Sequence, residues 1–272
     1  MLYSPILSIL RIFPLILWVM LLSILHFFYH FIFRKNFFLF YMYFFKGLVK
    51  IFGIKVLFSG SPLRKKVLFI SNHISYLDIL ILGSKLNALF VAKSEIDSWP
   101  VINILCRLGR TIFVNRKKFL KVKSQMGQIE KSLEDGNNVV LFPEGTSSDG
   151  LKVLNFKSSL LGVVESKIKK DFYFQPVSIF YSKLDGMPVE IKFRPFFAWF
   201  GNMDLLSHAW KFLGLGISEV KIHFHKPRKF DAFRSRKDVS EYCHNTISNQ
   251  ISFNFQNVEV EKKIKLNEFK LL

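Results

Sequence analysis

The sequence predicts an α/β fold: a mostly parallel sheet flanked by helices, preceded by an apolar helical segment. Three observations predict it. Beyond Gly60-Ser61-Pro62, short apolar runs alternate with stretches of helical periodicity. Strands alternating with helices bury both faces of a parallel sheet. Before that boundary the chain is almost wholly apolar, and no internal repeat is found along its 272 residues.

The N-terminal segment comes first. Ile12 to Phe33 is a run of 22 residues without Lys, Arg, Asp or Glu. About twenty apolar residues suffice to cross a bilayer core as a helix. Pro14 sits near the start, where a helix tolerates it. Trp18 and Tyr29 are suited to interfaces. After Arg34, Lys35 and Asn36, a second apolar run (Phe37 to Phe45) is too short to span. Lys46 and Lys50 then punctuate an amphipathic stretch that closes near Phe52 and Gly53. Residues 1–55 are therefore read as a membrane anchor. It is either one spanning helix plus an interfacial helix, the preferred reading, or a helical hairpin lying in one leaflet. A cleaved signal peptide fits poorly: the apolar region is long and no small-residue cleavage site follows it.

The domain expected over residues 56–256 follows. Lys66 to Ser71 (KVLFIS) reads as a buried strand and Asp78 to Leu86 as a helix. Ala88 to Ala92 reads as a strand, Val101 to Leu108 as a short helix and Thr111 to Val114 as another strand. Val122, Met126, Ile129 and Leu133 recur at spacings of four, three and four, one apolar helical stripe. Gly136 stops that helix. Asn138 to Phe142 is then a strand, with further strands at Phe172 to Ile179, Glu190 to Phe193 and Val220 to Phe224. A late helix covers Ser240 to Ile251, and residues 257–272 form a charged peripheral tail.

Composition narrows the partners. The formal net charge is +19, half the residues are hydrophobic and 32 are Phe; mean hydropathy is +0.25. Such a basic balance favours an anionic partner. The apolar excess points to an anionic membrane, where each nearby Lys or Arg adds roughly 1 kcal/mol. Nucleic acid needs no such apolar surface, and neither zinc-finger spacing nor a nucleotide-type Gly-rich loop is present. Cys106 and Cys243 have neither disulfide-framework nor metal-site spacing, so two reduced, buried thiols are expected. His223 and His225 alternate on one strand face without a nearby carboxylate or third His, and read as a strand-surface pair. No metal site is expected.

Two motifs carry chemistry. Ser71-Asn72-His73-Ile74-Ser75-Tyr76-Leu77-Asp78 directly follows a strand. Five helical residues would turn His73 and Asp78 about 140° apart. The pair therefore works only if His73 lies in the strand-to-helix turn and Asp78 in the first helical turn. The carboxylate would then hold one imidazole nitrogen and leave the other to accept a proton. The same residues also fit a capping box, with Ser75 as N-cap and Asp78 at the third position. The second motif, Leu141-Phe142-Pro143-Glu144-Gly145-Thr146-Ser147-Ser148-Asp149-Gly150, also leaves a strand. Its glycine and hydroxyls suit close approach to an anion, although an ordinary surface loop has the same composition. Ligands in α/β sheets bind beyond the carboxyl ends of strands, so both motifs can converge on one cleft.

Taken together, these motifs resemble the glycerolipid acyltransferase family, which includes the 1-acyl-glycerol-3-phosphate acyltransferases. Asn72-His73 with Asp78, Thr111 to Arg116, Phe142 to Thr146, and Gln175-Pro176-Val177-Ser178-Ile179 match its four blocks in order. The resemblance runs from about Lys66 to Ile179. It implies transfer of a fatty acyl group from an acyl thioester to the free hydroxyl of a lysophospholipid, most directly 1-acyl-glycerol-3-phosphate. In that scheme His73 is general base and Asp78 its orienter. Arg116, Glu144, Gly145, Thr146 and Lys157 stand at acceptor-binding positions. No cofactor is implied, since acyl-CoA or acyl-carrier protein enters as substrate, and no acyl-enzyme is expected. A bacterial inner membrane is the implied location, with the catalytic domain on the cytoplasmic side. One departure stands out: Ser147-Ser148-Asp149 follows Thr146, where many members carry an Arg. That departure leaves room for an acceptor without a phosphate monoester, such as a lyso-ornithine lipid. A catalytically silent lipid-binding protein is the rival from another class.

Overall fold

A computed structural model describes residues 2–33, 37–64, 66–93, 103, 106, 111–114, 119–165 and 172–270. The chain begins with two helices, α1 (Pro5–Phe33) and α2 (Phe37–Ile51). Then come β1 (Ile54–Ser59), β2 (Val67–Ser71), α3 (Leu77–Gly83), β3 (Ala88–Lys93), β4 (Ile112–Val114), α4 (Phe119–Glu134) and β5 (Asn138–Leu141). The remainder comprises β6 (Tyr173–Leu184), β7 (Met187–Pro188), α5 (Leu205–Leu213), β8 (Ser218–Phe224), β9 (Arg228–Lys229) and α6 (Arg236–Lys270).

The sheet order is β1-β8-β6-β2-β5-β3-β4, with β7 and β9 also pairing with β6. The half containing β6, β2, β5, β3 and β4 is parallel throughout. β8 runs antiparallel to β6 and parallel to β1. The sheet is therefore mixed α/β, as helix crossovers between parallel strands require. β2 lies at its centre and is fully buried from Val67 to Ser71, which is why its sequence is an unbroken apolar run.

Each face of the sheet carries its own core. On one, α2 and α3 cover Phe69, Phe90, Val140 and Val177. On the other, Ile129 and Leu133 of α4 join Val139, Leu141 and Phe174. Gly136 ends α4 with φ of +83°, the left-handed conformation that glycine accepts.

Register places the site. Ile70 pairs with Leu141, and Ser71 with Val177. β2 and β5 thus end side by side, and β6 continues past them to Leu184 as a wall.

Several expectations are revised. Glu190 to Phe193 is not a strand; the chain forms a 3-10 helix over Ile191–Phe196. Both edges of β6 are already occupied here, by β7 and β8, and Pro195 has no N–H to give a ladder. β1 was not foreseen; its burial is mixed, and it straddles the boundary expected between anchor and domain at residues 55 and 56. The late helix extends from Arg236 to Lys270, because Ile247, Ile251 and Val258 form a stripe against Phe180. Glu261 then pairs with Lys183 at 2.6 Å. The helix expected at 101–108 lies outside the described residues except for Asn103 and Cys106, both helical. Cys243 is buried, Cys106 is half-buried, and neither forms a disulfide.

α1 is long and apolar enough to cross a membrane over Pro5–Tyr29. Ile9, Phe13, Met20, Ile24, Phe28 and Phe31 are each more than half exposed. In water, each would forgo about 1.5–3 kcal/mol of burial. Its first turns are nevertheless tied to the domain. Ser8 Oγ donates to Trp210 O (2.9 Å), and Arg11 donates to Leu213 O (3.0 Å) and Leu215 O (2.6 Å). Further along, Trp18 covers Gly47 and donates to Phe44 O at 3.0 Å, so α1 and α2 pack as a hairpin.

Candidate active site

The two loops that leave β2 and β5 meet at His73. Its Nδ1 lies 2.9 Å from Asp78 Oδ2. The same oxygen accepts the N–H groups of Ile74 (2.7 Å) and Ser75 (2.9 Å). One carboxylate atom in the first turn of α3 thus grips both the imidazole and the backbone leading into the helix; the expected cap at Ser75 is not formed, since Tyr76 is the N-cap and no side chain caps it. Its other oxygen accepts the Tyr181 hydroxyl at 2.9 Å. Asp78 is fully buried, and four hydrogen bonds offset its desolvation.

This partner set defines a tautomer. A carboxylate at Nδ1 calls for the proton there, which leaves Nε2 with its lone pair. Nε2 has no hydrogen-bond partner among the described residues, and the side chain is 18% exposed. The ring stacks on Phe142, with centroids 4.1 Å apart and planes at 20°. A carboxylate on one nitrogen and an aromatic ring on one face leave the imidazole a single orientation.

The backbone around His73 is fixed from three sides. Glu144 Oε1 accepts His73 N–H at 2.8 Å, and Oε2 accepts Leu154 N–H at 3.0 Å. Ser148 donates to His73 O from both its N–H (3.0 Å) and its hydroxyl (3.2 Å). Asn72 spans to β6, donating to Ile179 O at 3.0 Å and accepting Ile179 N–H at 2.8 Å. Burial pushes the Glu144 carboxyl up to about 8, while its two N–H donors pull it back down.

The remaining predicted residues lie on the second loop. Gly145 has φ of +76°, and an added Cβ would stand 3.0 Å from Lys157 Nζ. Lys157 is exposed and lies over this turn, and its N–H donates to Pro143 O at 2.8 Å. Thr146 is exposed at the rim. Ser147 Oγ donates to Trp199 O. Arg116 lies outside the described residues. Thus His73, Asp78, Glu144, Gly145 and Lys157 are gathered about the turns that leave β2 and β5, with Thr146 exposed beside them.

Sequence reasoning missed Tyr181, Ser148 and Phe142 as members of the site. Tyr181 carries no local signal, because only the β2–β6 register brings it to Asp78. Arg194 was missed too. It is 4% exposed, donates to Gly150 O at 3.1 Å and lies over Phe255 at 4.6 Å. Burial lowers its guanidinium to about 10, against the opposing pull of Asp149. No group of three or more His, Cys, Asp or Glu able to hold a metal is found among the described residues.

Comparison with known proteins identifies the family. The Acyltransferase family model matches residues 55–180. A lyso-ornithine lipid O-acyltransferase of Rhizobium meliloti (strain 1021) is 37% identical over 205 residues, covering 74% of this chain and 70% of the relative. A 1-acyl-sn-glycerol-3-phosphate acyltransferase of Neisseria meningitidis serogroup B is 37% identical over 158 residues, 58% of each chain. The crystal structure of the 1-acyl-sn-glycerophosphate acyltransferase PlsC from Thermotoga maritima superposes with a TM-score of 0.69. That match covers 91% of this chain and 94% of the other at 20% identity, a likeness of fold. The chain belongs to the acyltransferase family.

Proposed function

We propose that this enzyme transfers a fatty acyl group from an acyl thioester to the free hydroxyl of a lyso-ornithine lipid at a membrane surface. The observation that carries the chemistry is the His73–Asp78 contact with Nε2 left open. In the proposed step, Nε2 takes the proton of the acceptor hydroxyl as its oxygen attacks the thioester carbonyl. Asp78 stabilises the resulting imidazolium. The tetrahedral adduct collapses, the C–S bond breaks, and the thiolate leaves with the proton from His73. One ester forms and one thioester is lost, with no acyl-enzyme, cofactor or metal in the step. Glu144 fastens the His73 turn, Gly145, Thr146 and Lys157 are assigned to the acceptor, and Arg116 is assigned to it from its place in the sequence alone. The donor is acyl-CoA or acyl-carrier protein, both acidic and suited to a basic surface.

The acceptor is argued from Ser147-Ser148-Asp149. Both serine hydroxyls are spent on backbone carbonyls, Trp199 O and His73 O. Asp149, whose Oδ1 accepts Leu151 N–H at 2.9 Å and whose charge is partly met by Arg194, supplies an acid where an added cation would favour phosphate, which suits an ornithine ammonium better than a phosphate dianion. Four relatives, 31–37% identical to this chain, carry the name lyso-ornithine lipid O-acyltransferase. Lysophosphatidic acid is the second reading, supported by the Neisseria relative and by Lys157 over Gly145.

For topology, the hairpin reading is now favoured over a single spanning helix. The start of α1 is bonded to Leu215 and the end of α2, through Leu48, Val49 and Phe52, packs in the domain core, so the chain enters and leaves the apolar layer on one side. A cytoplasmic face of a bacterial inner membrane fits that arrangement.

The test is acyl transfer by purified, detergent-solubilised protein offered lyso-ornithine lipid and lysophosphatidic acid side by side. Preference for lyso-ornithine lipid is expected. Preference for lysophosphatidic acid selects the second reading, and acylation of neither defeats the proposal.

A further inference from the structure

We infer that the cleft between α2, β1 and the end of α3 binds one anionic phospholipid, at a site separate from the acyl-transfer site. This rests on the chain's membrane association, not on the choice of acceptor. The cleft has a volume of about 840 Å³, and none of the residues gathered at His73 lines it. That volume falls within the range of small-molecule sites. Three cations from separate segments line it: Lys46 of α2, Arg64 between β1 and β2, and Lys85 after α3. None has an acidic partner among the described residues, and no Asp or Glu lines the cleft.

The walls between these charges are apolar. Met42 and Val49 face the cleft from α2, Val56 and Phe58 from β1. Phe58 is 36% exposed, and Lys85 Nζ stands 5.0 Å from its ring centre. A cationic rim with an apolar floor matches a phosphodiester joined to an acyl chain. Free phosphate would leave the floor wet, and a neutral lipid would leave three cations without a counter-charge. The source is on the spot, because α2 is itself half of the apolar hairpin. A lipid seated there bridges α2 to the sheet and so fastens the hairpin to the catalytic domain.

The test is native mass spectrometry of the full chain in neutral detergent with equal phosphatidylglycerol and phosphatidylcholine. One retained phosphatidylglycerol per chain is expected, and glycerophosphate should not displace it. Lys46→Gln/Arg64→Gln/Lys85→Gln should weaken retention by about 100-fold, as three surface cations near an anionic lipid predict. Val56→Trp, which fills the cleft at unchanged charge, should also abolish it. Lys131→Gln/Lys226→Gln/Lys237→Gln, an equal charge change at exposed sites elsewhere, should not. Equal loss in both triple variants would overturn the site in favour of general surface attraction. Equal retention of phosphatidylcholine, or displacement by glycerophosphate, would overturn the stated ligand. Because retention is read without acyl transfer, failure here leaves the acceptor assignment standing, and the reverse.

Discussion

Glu144→Gln isolates the carboxyl that holds the His73 turn. Glu144 is 2% exposed, and each of its oxygens accepts one backbone N–H, from His73 and from Leu154. Glutamine keeps the shape but has one acceptor oxygen. Its NH2 then faces a second N–H, and one buried donor loses its partner, at a cost of about 1–3 kcal/mol. The pH dependence has a definite sign. The carboxyl titrates near 4.5 when exposed and near 8 in the folded chain. Between those values the folded state holds a proton that the unfolded state has released. Wild-type stability from this group is therefore complete below about 4.5 and is lost as pH rises through 8, by about 1.4 kcal/mol per pH unit at most. Glutamine does not titrate, so the stability gap between wild type and variant should shrink by a few kcal/mol from pH 5 to pH 8.5. Thermal unfolding of both proteins in one detergent at both pH values measures it, since the other titrating groups cancel in the difference. A gap that stays constant or widens would refute the reasoning. It would mean that the two N–H donors outweigh burial and keep Glu144 ionised throughout.

Two further predictions follow from neighbouring contacts. Tyr181→Phe removes one hydrogen bond to the buried Asp78 carboxylate, so stability should fall by about 1.5–3 kcal/mol. Because Oδ2 still holds His73, turnover should fall less than about tenfold, as steady-state kinetics beside denaturant unfolding will show. Gly145→Ala places a Cβ on a residue at φ +76° and 3.0 Å from Lys157 Nζ. It should cost about 1–2 kcal/mol and raise the acceptor KM several-fold with little change in kcat.

Much of the fold was legible because burial and periodicity coincide. β2 is buried on both sides and reads as an unbroken apolar run, and α4 exposes one face and reads as a stripe. Legibility failed where a partner distant in sequence decides the outcome. β1 is an edge strand beside β8, and nothing near residues 54–59 announces a partner 164 positions away, as in the Ile54–Ser218 pair. Glu190 to Phe193 has strand-like composition, yet β6 already pairs with β7 and β8, and Pro195 closes the segment. The C-terminal helix outruns its foreseen end at Ile251 because Val258 and Glu261 find β6.

The site divides in the same way. His73 and Asp78 are five residues apart, so their geometry follows from one turn and was readable. Glu144 was readable as a motif residue, but not as the acceptor of the His73 N–H, which depends on the β2–β5 register. Tyr181 depends on the register of β6 against β2 and left no local mark. The serines after Thr146 were visible as a departure, and the structure adds that both hydroxyls are already engaged.

The most direct test of the central claim is the turnover of His73→Ala in purified, folded protein with a saturating acyl donor and lyso-ornithine lipid or lysophosphatidic acid. The account predicts a loss of about 10²–10⁴-fold, the range for removing a positioned general base, with the protein still folded although its thermal midpoint drops by several degrees, since a hydrogen bond to buried Asp78 and the stack on Phe142 are lost. Turnover within a few-fold of wild type on either acceptor would contradict it, because the proposed step gives that proton to His73 Nε2 alone.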